Sequence, residues 1–230
     1  MARGGSSGGR QLTVRVRHAR RRKPSSTEWL TRQLNDPYVA EAHRLGYRSR
    51  AAFKLIQLDD RFHLLAPGRW VVDLGCAPGG WSQVAVVRGS KVVGIDLLPT
   101  EPVPGATLLA GDFRDPETAN RVRQALGGAA GIVLSDMAAP ATGHAATDHL
   151  RIVALAEEAL AFAETVLRPG GAFVAKVFQG GAEGALLAAL KRGFAVVRHA
   201  KPAASRAESA ETYVIATGFR GPPGDAQQPC

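Results

Sequence analysis

The residues able to do chemistry in this 230-residue chain cluster just after short apolar runs. The first run is followed by Asp73-Leu74-Gly75-Cys76-Ala77-Pro78-Gly79-Gly80-Trp81-Ser82. Glycine in such a loop lets the backbone come close to a ligand where a Cβ would collide. The spacing is not the dinucleotide pattern G-x-G-x-x-G, and Trp81 stands where a phosphate-binding P-loop has Lys followed by Ser or Thr. Asp96 closes the second run, 21 residues beyond Gly75, and is placed to accept hydrogen bonds from ribose hydroxyls. A ligand with a ribose but no pyrophosphate fits both facts. S-adenosylmethionine is the candidate, its amino-acid tail against the glycine loop. Asp112, at the end of the third run, could then hold the adenine amino group. A lone carboxylate at any of these positions reads equally well as a helix cap or turn. Several acids and a glycine loop at successive run ends are harder to explain that way.

Two further groups follow. The fourth run ends in Ser135-Asp136-Met137-Ala138, and the fifth contains Lys176 between Val174 and Phe178. An unpaired lysine in a buried strand would be costly, so Lys176 points to function or to a buried ion pair. Lys54, among Phe53, Leu55, Ile56 and Leu58, reads by itself as a surface lysine. His144 and His149 are adequately explained by loop polarity, Trp81 by packing at a helix start, and Cys76 as a small buried residue. The cysteines are Cys76 and Cys230, which excludes a disulfide scaffold and a cysteine-based zinc site and fits a reducing cytoplasm.

The elements that must position these groups alternate. Strands are expected at 69–74, 91–97, 107–111, 131–135, 171–178, 195–201 and 211–217, and helices between them at 80–88, 116–126, 148–167 and 182–191. Two more helices, 37–45 and 49–65, precede the first strand. Several strands are apolar on successive residues, as in a parallel sheet covered on both faces. Arg168-Pro169-Gly170-Gly171 is a strong helix stop. The alternation argues for one doubly wound α/β sheet, whose ligands sit at the carboxyl ends of the strands.

Taken together, several strings resemble the FtsJ/RrmJ family of S-adenosylmethionine-dependent 2′-O-ribose methyltransferases of RNA. They are the glycine loop through Gln83, Arg48-Ser49-Arg50-Ala51-Ala52-Phe53-Lys54-Leu55, Asp96-Leu97-Leu98-Pro99, Gly111-Asp112-Phe113-Arg114-Asp115, Ser135-Asp136-Met137-Ala138, Lys176-Val177-Phe178-Gln179-Gly180, and Glu211-Thr212-Tyr213-Val214-Ile215-Ala216-Thr217-Gly218. They run in the family's order from about Ser26 to Gly218. The resemblance implies a Rossmann-like class I methyltransferase fold, a seven-stranded mostly parallel sheet with one antiparallel strand. It implies cofactor contacts at Gly75, Gly79, Trp81, Asp96, Asp112 and Asp136. It also places the family's Lys-Asp-Lys-Glu tetrad on Lys54, Asp136, Lys176 and Glu211. Lys176 would be the base, Asp136 would position it and face the cofactor, and Lys54 with Glu211 would orient the hydroxyl. No metal is implied. Two departures stand out. Ala139-Pro140 replaces the family's frequent Pro-Asn after Asp-Met-Ala, and Ser209-Ala210-Glu211 replaces Ser-Arg-Glu, with Arg206 a possible substitute for the missing arginine.

Charge names the partner class. The 29 Lys and Arg against 20 Asp and Glu give +9. Eight basic residues and no acid fall in 1–27, leaving the rest at +1. Residues 1–27 therefore read as a disordered basic arm drawn to polyanions, 28–218 as the methyltransferase domain, and 219–230 as a frayed tail. A solubility tail is the blander reading of the arm. No run reaches the ~18 apolar residues of a membrane span, and a 2′-hydroxyl target demands RNA and not DNA. Bacterial members of the family methylate a uridine in the peptidyl-transferase A-loop of large-subunit (23S) rRNA, which implies that substrate, a monomer and a cytoplasmic location. Relatives acting on tRNA or mRNA caps share the tetrad. A non-catalytic assembly factor would be expected to have lost tetrad residues, and all four are present. A nicotinamide-dependent reductase lacks its glycine fingerprint here.

Overall fold

The alternating apolar runs become strands, and the longer periodic stretches become helices laid on both faces of them. A computed structural model describes residues 27, 30, 31, 33–140, 142–178 and 184–221. Nearly all of the expected basic arm, most of the expected C-terminal tail, and Gln179 and Gly180 lie outside the described residues. In chain order the elements are α1 (Pro37–Leu45), α2 (Ala52–Phe62), β1 (Trp70–Leu74), α3 (Gly80–Val87), β2 (Lys91–Asp96), β3 (Ala106–Ala110), α4 (Pro116–Leu126), β4 (Ala130–Ser135), α5 (Ala145–Val166), β5 (Leu167–Phe178), α6 (Gly184–Gly193), β6 (Phe194–Ala200) and β7 (Glu211–Phe219).

The seven strands form one sheet in the order β3-β2-β1-β4-β5-β7-β6. Strands β1 to β5 pair in parallel, while β7 lies antiparallel between β5 and β6. The order reverses between β1 and β4, which makes their carboxyl ends the switch point where a crevice opens. The expected fold class is the one observed. None of the described helices is long and apolar enough to cross a membrane.

Side chains alternate across a sheet with period two, and this parity decides which functional groups meet. Val72, Leu74, Val133, Phe173 and Val214 pack against α4, α5 and α6 on one face. Val71, Ile132, Leu134, Val174, Tyr213 and Ile215 pack against α2 and α3 on the other. Asp136 continues the parity of Ile132 and Leu134, Lys176 that of Val174, and Glu211 that of Tyr213. All three therefore fall on the face covered by α2, the helix that carries Lys54.

Element ends moved where local chemistry intervened. Helix α5 spans Ala145–Val166, starting three residues earlier and ending one earlier than its periodicity suggests. The stop signal Arg168-Pro169-Gly170 lies inside β5 as an irregularity, because Leu167 already pairs with Ala130 while the next partners are Ile132 and Ala172. Gly170 absorbs that excess with φ +78°. Helix α2 is shorter than expected, ending at Phe62 with His63 in the left-handed region as its cap.

Candidate active site

At the switch point a cleft of about 380 Å³ opens among the ends of β1 to β4. Its lining includes Gly75, Asp96, Asp112 and Asp136 together with Met137, so the sheet brings together four of the residues expected at the cofactor. Gly75 takes φ +74°, and a Cβ there would collide with the Met137 side chain. Only glycine fits that position. The Asp96 carboxylate accepts from Ala77 N at 2.9 Å through Oδ2 and from Leu98 N at 2.8 Å through Oδ1. It thereby ties the glycine loop to the end of β2, and each oxygen keeps a second lone pair for an incoming hydroxyl. Asp112 is engaged differently. Arg114 donates to it from its backbone N and from its guanidinium at 2.6–3.0 Å, and the Arg114 hydrogen bonds hold the Asp112 carboxyl below its ordinary pKa. The cradle fits an adenosine with a charged amino-acid tail: a backbone without side-chain bulk, one carboxylate with acceptor capacity for a ribose, and a second near the far wall.

Two expected cofactor residues do not line the cleft. Gly79, φ +110°, is the N-cap of α3, and a Cβ there would stand 2.9 Å from Nη1 of Arg48. Trp81 is buried; its Nε1 donates to the Ala51 carbonyl at 2.8 Å and its ring lies 5.7 Å from that of Tyr213. The indole is a prop under the start of α2. The expectation that it packs at a helix start describes its position, and it is not among the residues that line the cleft.

The four tetrad positions converge. Lys54 Nζ lies 2.8 Å from Glu211 Oε1 and 3.6 Å from Asp136 Oδ2. Lys176 Nζ lies 3.2 Å from Asp136 Oδ1 and donates to the Asp136 carbonyl at 2.7 Å. Lys54 and Lys176 are only 9% and 8% exposed, so the surface reading of Lys54 fails: α2 turns it inward over β5 and β7. Burying four charges costs free energy unless each is paired and hydrogen-bonded. Here two ammonium groups meet two carboxylates. Burial pushes the Asp136 carboxyl up, but Lys176, Lys54 and the Tyr213 hydroxyl outweigh it and hold it below the usual carboxylate range.

Sequence reasoning overlooked the groups that brace this cluster. The buried Tyr213 donates from its hydroxyl to Asp136 Oδ1 at 2.7 Å and reaches Glu211 Oε1 at 3.4 Å. Burial first, then the two carboxylates, raise its pKa well above the ordinary phenol value. Ser205 Oγ donates to Glu211 Oε1 at 2.7 Å. The signal for Tyr213 was available, since it stands two residues beyond Glu211 on one strand and so shares its face. Arg48 had no such signal. Its guanidinium bonds the carbonyls of Pro78, Glu101 and Pro102 at 2.6–3.0 Å, clamping the glycine loop to the β2–β3 connection. Asp73 was visible only as part of the loop string; it is buried beneath the loop and bonded by Ser82 Oγ at 2.7 Å.

Comparison with known proteins places this geometry among relatives. The model of the FtsJ-like methyltransferase family matches residues 47–219. The chain is 65% identical over 226 residues to the ribosomal RNA large subunit methyltransferase E of Paramagnetospirillum magneticum, covering 95% of this chain and 93% of that protein. It is 63% identical over 222 residues to the protein of the same name from Rhodospirillum rubrum, covering 94% and 84%. Among solved structures, a Plasmodium falciparum protein assigned as a ribosomal RNA methyltransferase superposes with a TM-score of 0.69 at 31% identity, covering 76% of this chain and all of that one.

Proposed function

This chain belongs to the FtsJ-like methyltransferase family, and from that premise we propose that it methylates large-subunit ribosomal RNA, using S-adenosylmethionine, on the 2′-hydroxyl of a uridine in the peptidyl-transferase A-loop. The observation that carries the reading is the neutral cluster of Lys54, Asp136, Lys176 and Glu211 beside the cleft. Asp136 lines the cleft, and Lys54 and Glu211 line a separate recess on the other side. The cluster is thus a partition between a place for the methyl donor and a place for the acceptor.

When bound, S-adenosylmethionine supplies a methyl group already activated on a sulfonium. What remains for the protein is to bring a ribose hydroxyl into line and take its proton. Lys176, once it has given up its own proton to solvent, accepts that of the hydroxyl, and Asp136 fixes its Nζ. Lys54, held by Glu211, hydrogen-bonds the hydroxyl oxygen and sets its direction. Asp96 receives the ribose hydroxyls of the donor, and the loop at Gly75 gives its tail room. Residues 28–218 form the methyltransferase domain in this reading, and the eight basic residues of 1–27 raise encounter with RNA without selecting a nucleotide.

The test is transfer of labelled methyl groups to undermodified large subunits, naked 23S rRNA and tRNA, with the modified nucleotide mapped. Label on one A-loop uridine ribose in the subunit or its rRNA is expected. Label confined to tRNA would redirect the substrate assignment, and no transfer to any RNA would overturn the reading.

A further inference from the structure

Two carboxylates that line the cleft differ in what they can still accept. Asp96 keeps acceptor capacity on both oxygens, whereas Asp112 has none to spare. Asp112 Oδ1 accepts from the backbone N of Arg114 at 2.9 Å and from its Nε at 2.9 Å. Asp112 Oδ2 accepts from Nε at 3.0 Å and from Nη2 at 2.6 Å. A carboxylate offers about four lone-pair sites, so a single arginine occupies the whole group. The amino group of an adenine is a donor, and it finds no acceptor on Asp112 while the guanidinium stays there.

The guanidinium has a second partner in reach. Nη1, the nitrogen that the fork leaves over, already lies 3.4 Å from Glu158 Oε2 on α5. The side chains of Arg114, Asp112 and Glu158 are 51%, 31% and 40% exposed, so burial locks neither pair, and exposed ion pairs exchange at little cost. Arg114 lines the cleft on one side and, on the other, a groove of about 400 Å³ between α4 and α5. Glu158 lines the groove and not the cleft. Rotation toward Glu158 therefore takes the guanidinium out of the cleft wall without leaving its charge unpaired. The backbone N of Arg114 stays on Oδ1, so Asp112 keeps its orientation while Oδ2 is freed.

Resting on the S-adenosylmethionine reading above, with Asp112 at the adenine, we infer that Arg114 is exchanged between Asp112 and Glu158 as the methyl donor binds. Without the donor, the Arg114 fork closes Asp112. With it, the adenine amino group takes the freed oxygen and Glu158 receives the guanidinium. Arg114 thus competes with the donor and Glu158 assists it, so the two residues act on donor affinity with opposite signs.

Calorimetry with S-adenosylhomocysteine, which keeps the adenosine and lacks the reactive methyl, tests this in wild type, Arg114→Ala, Glu158→Gln and the double variant. Arg114→Ala binds about fivefold tighter than wild type, because the competitor is gone. Glu158→Gln binds about threefold weaker, because the displaced guanidinium loses its charged partner. In the Arg114→Ala background, Glu158→Gln changes affinity by less than about 1.5-fold, since its effect runs through Arg114. The deaminated analogue S-inosylhomocysteine, whose 6-oxygen cannot donate, binds wild type and Glu158→Gln alike. Loss of a merely structural arginine weakens binding and does not tighten it. Arg114→Ala binding no tighter than wild type, an equal Glu158→Gln effect in both backgrounds, or an equal Glu158→Gln loss for both ligands overturns the exchange and leaves the donor assignment standing. A wild type that binds no S-adenosylhomocysteine overturns the donor assignment and the exchange with it.

Discussion

Asp73 lies at the end of β1, 1% exposed, with Ser82 Oγ as a hydrogen-bond donor at 2.7 Å. Its pKa is raised from 3.8 to about 7, chiefly by burial, with Asp136 and Asp96 adding and the Ser82 hydrogen bond opposing. The sign of the consequence follows. Below pH 3.8 both folded and unfolded chains carry the proton, and the stability tied to Asp73 is fully present. Between 3.8 and about 7 the unfolded chain releases the proton while the folded chain keeps it, so stability is lost as pH rises. At about 1.4 kcal/mol per pH unit the loss is on the order of 4 kcal/mol by neutral pH. Asp73→Asn removes the titration while retaining a partner for Ser82. Its advantage over wild type grows from near zero at about pH 4 to a Tm gap on the order of 10 °C at about pH 8. Thermal unfolding of both proteins without cofactor across that range measures it, and titrations of groups not coupled to Asp73 cancel in the difference. A gap independent of pH, or a less stable variant at about pH 8, refutes the reasoning.

Other consequences are simpler to read. Arg48→Ala releases three carbonyls that hold the glycine loop to the 101–102 connection. Calorimetry is expected to show affinity for S-adenosylmethionine weakened about tenfold, with kcat at saturating cofactor within about twofold of wild type; an unchanged affinity removes the clamp. Deleting residues 1–27 takes away eight positive charges. It flattens the salt dependence of RNA binding while leaving cofactor affinity intact, and an unchanged salt slope returns the arm to a solubility role.

The sheet was legible because its signals are local and redundant. Val71-Val72, Val92-Val93 and the run from Phe173 to Val177 have the continuous apolarity that only a doubly covered strand requires. Lys176 stood out by the same logic, as a charge in such a run. Lys54 did not, because a helix with apolar neighbours on one side permits a lysine on either. Its burial depends on where α2 lands over β5 and β7, a tertiary fact. Trp81 packs at a helix start, as its position suggested, but its partner was not legible. Its N–H finds the Ala51 carbonyl 30 residues earlier in the chain, a pairing that no local pattern encodes. Arg48 acts through backbone carbonyls distant in sequence, and no periodicity encodes that. The Arg168-Pro169-Gly170 segment shows the limit of stop signals: it ended the helix as expected but was absorbed into β5, because Leu167 had already found Ala130.

In the function proposed for this chain, Lys54, Asp136, Lys176 and Glu211 carry out methyl transfer to a ribose oxygen. The most direct measurement is single-turnover transfer of labelled methyl from preloaded enzyme to undermodified large subunits, with digestion to nucleosides, for wild type and Lys176→Met. Label is expected only in a 2′-O-methylated nucleoside, with a rate in Lys176→Met lower by about 10²–10⁴ and cofactor affinity retained. Label on a base, or a Lys176→Met rate equal to wild type, would contradict it.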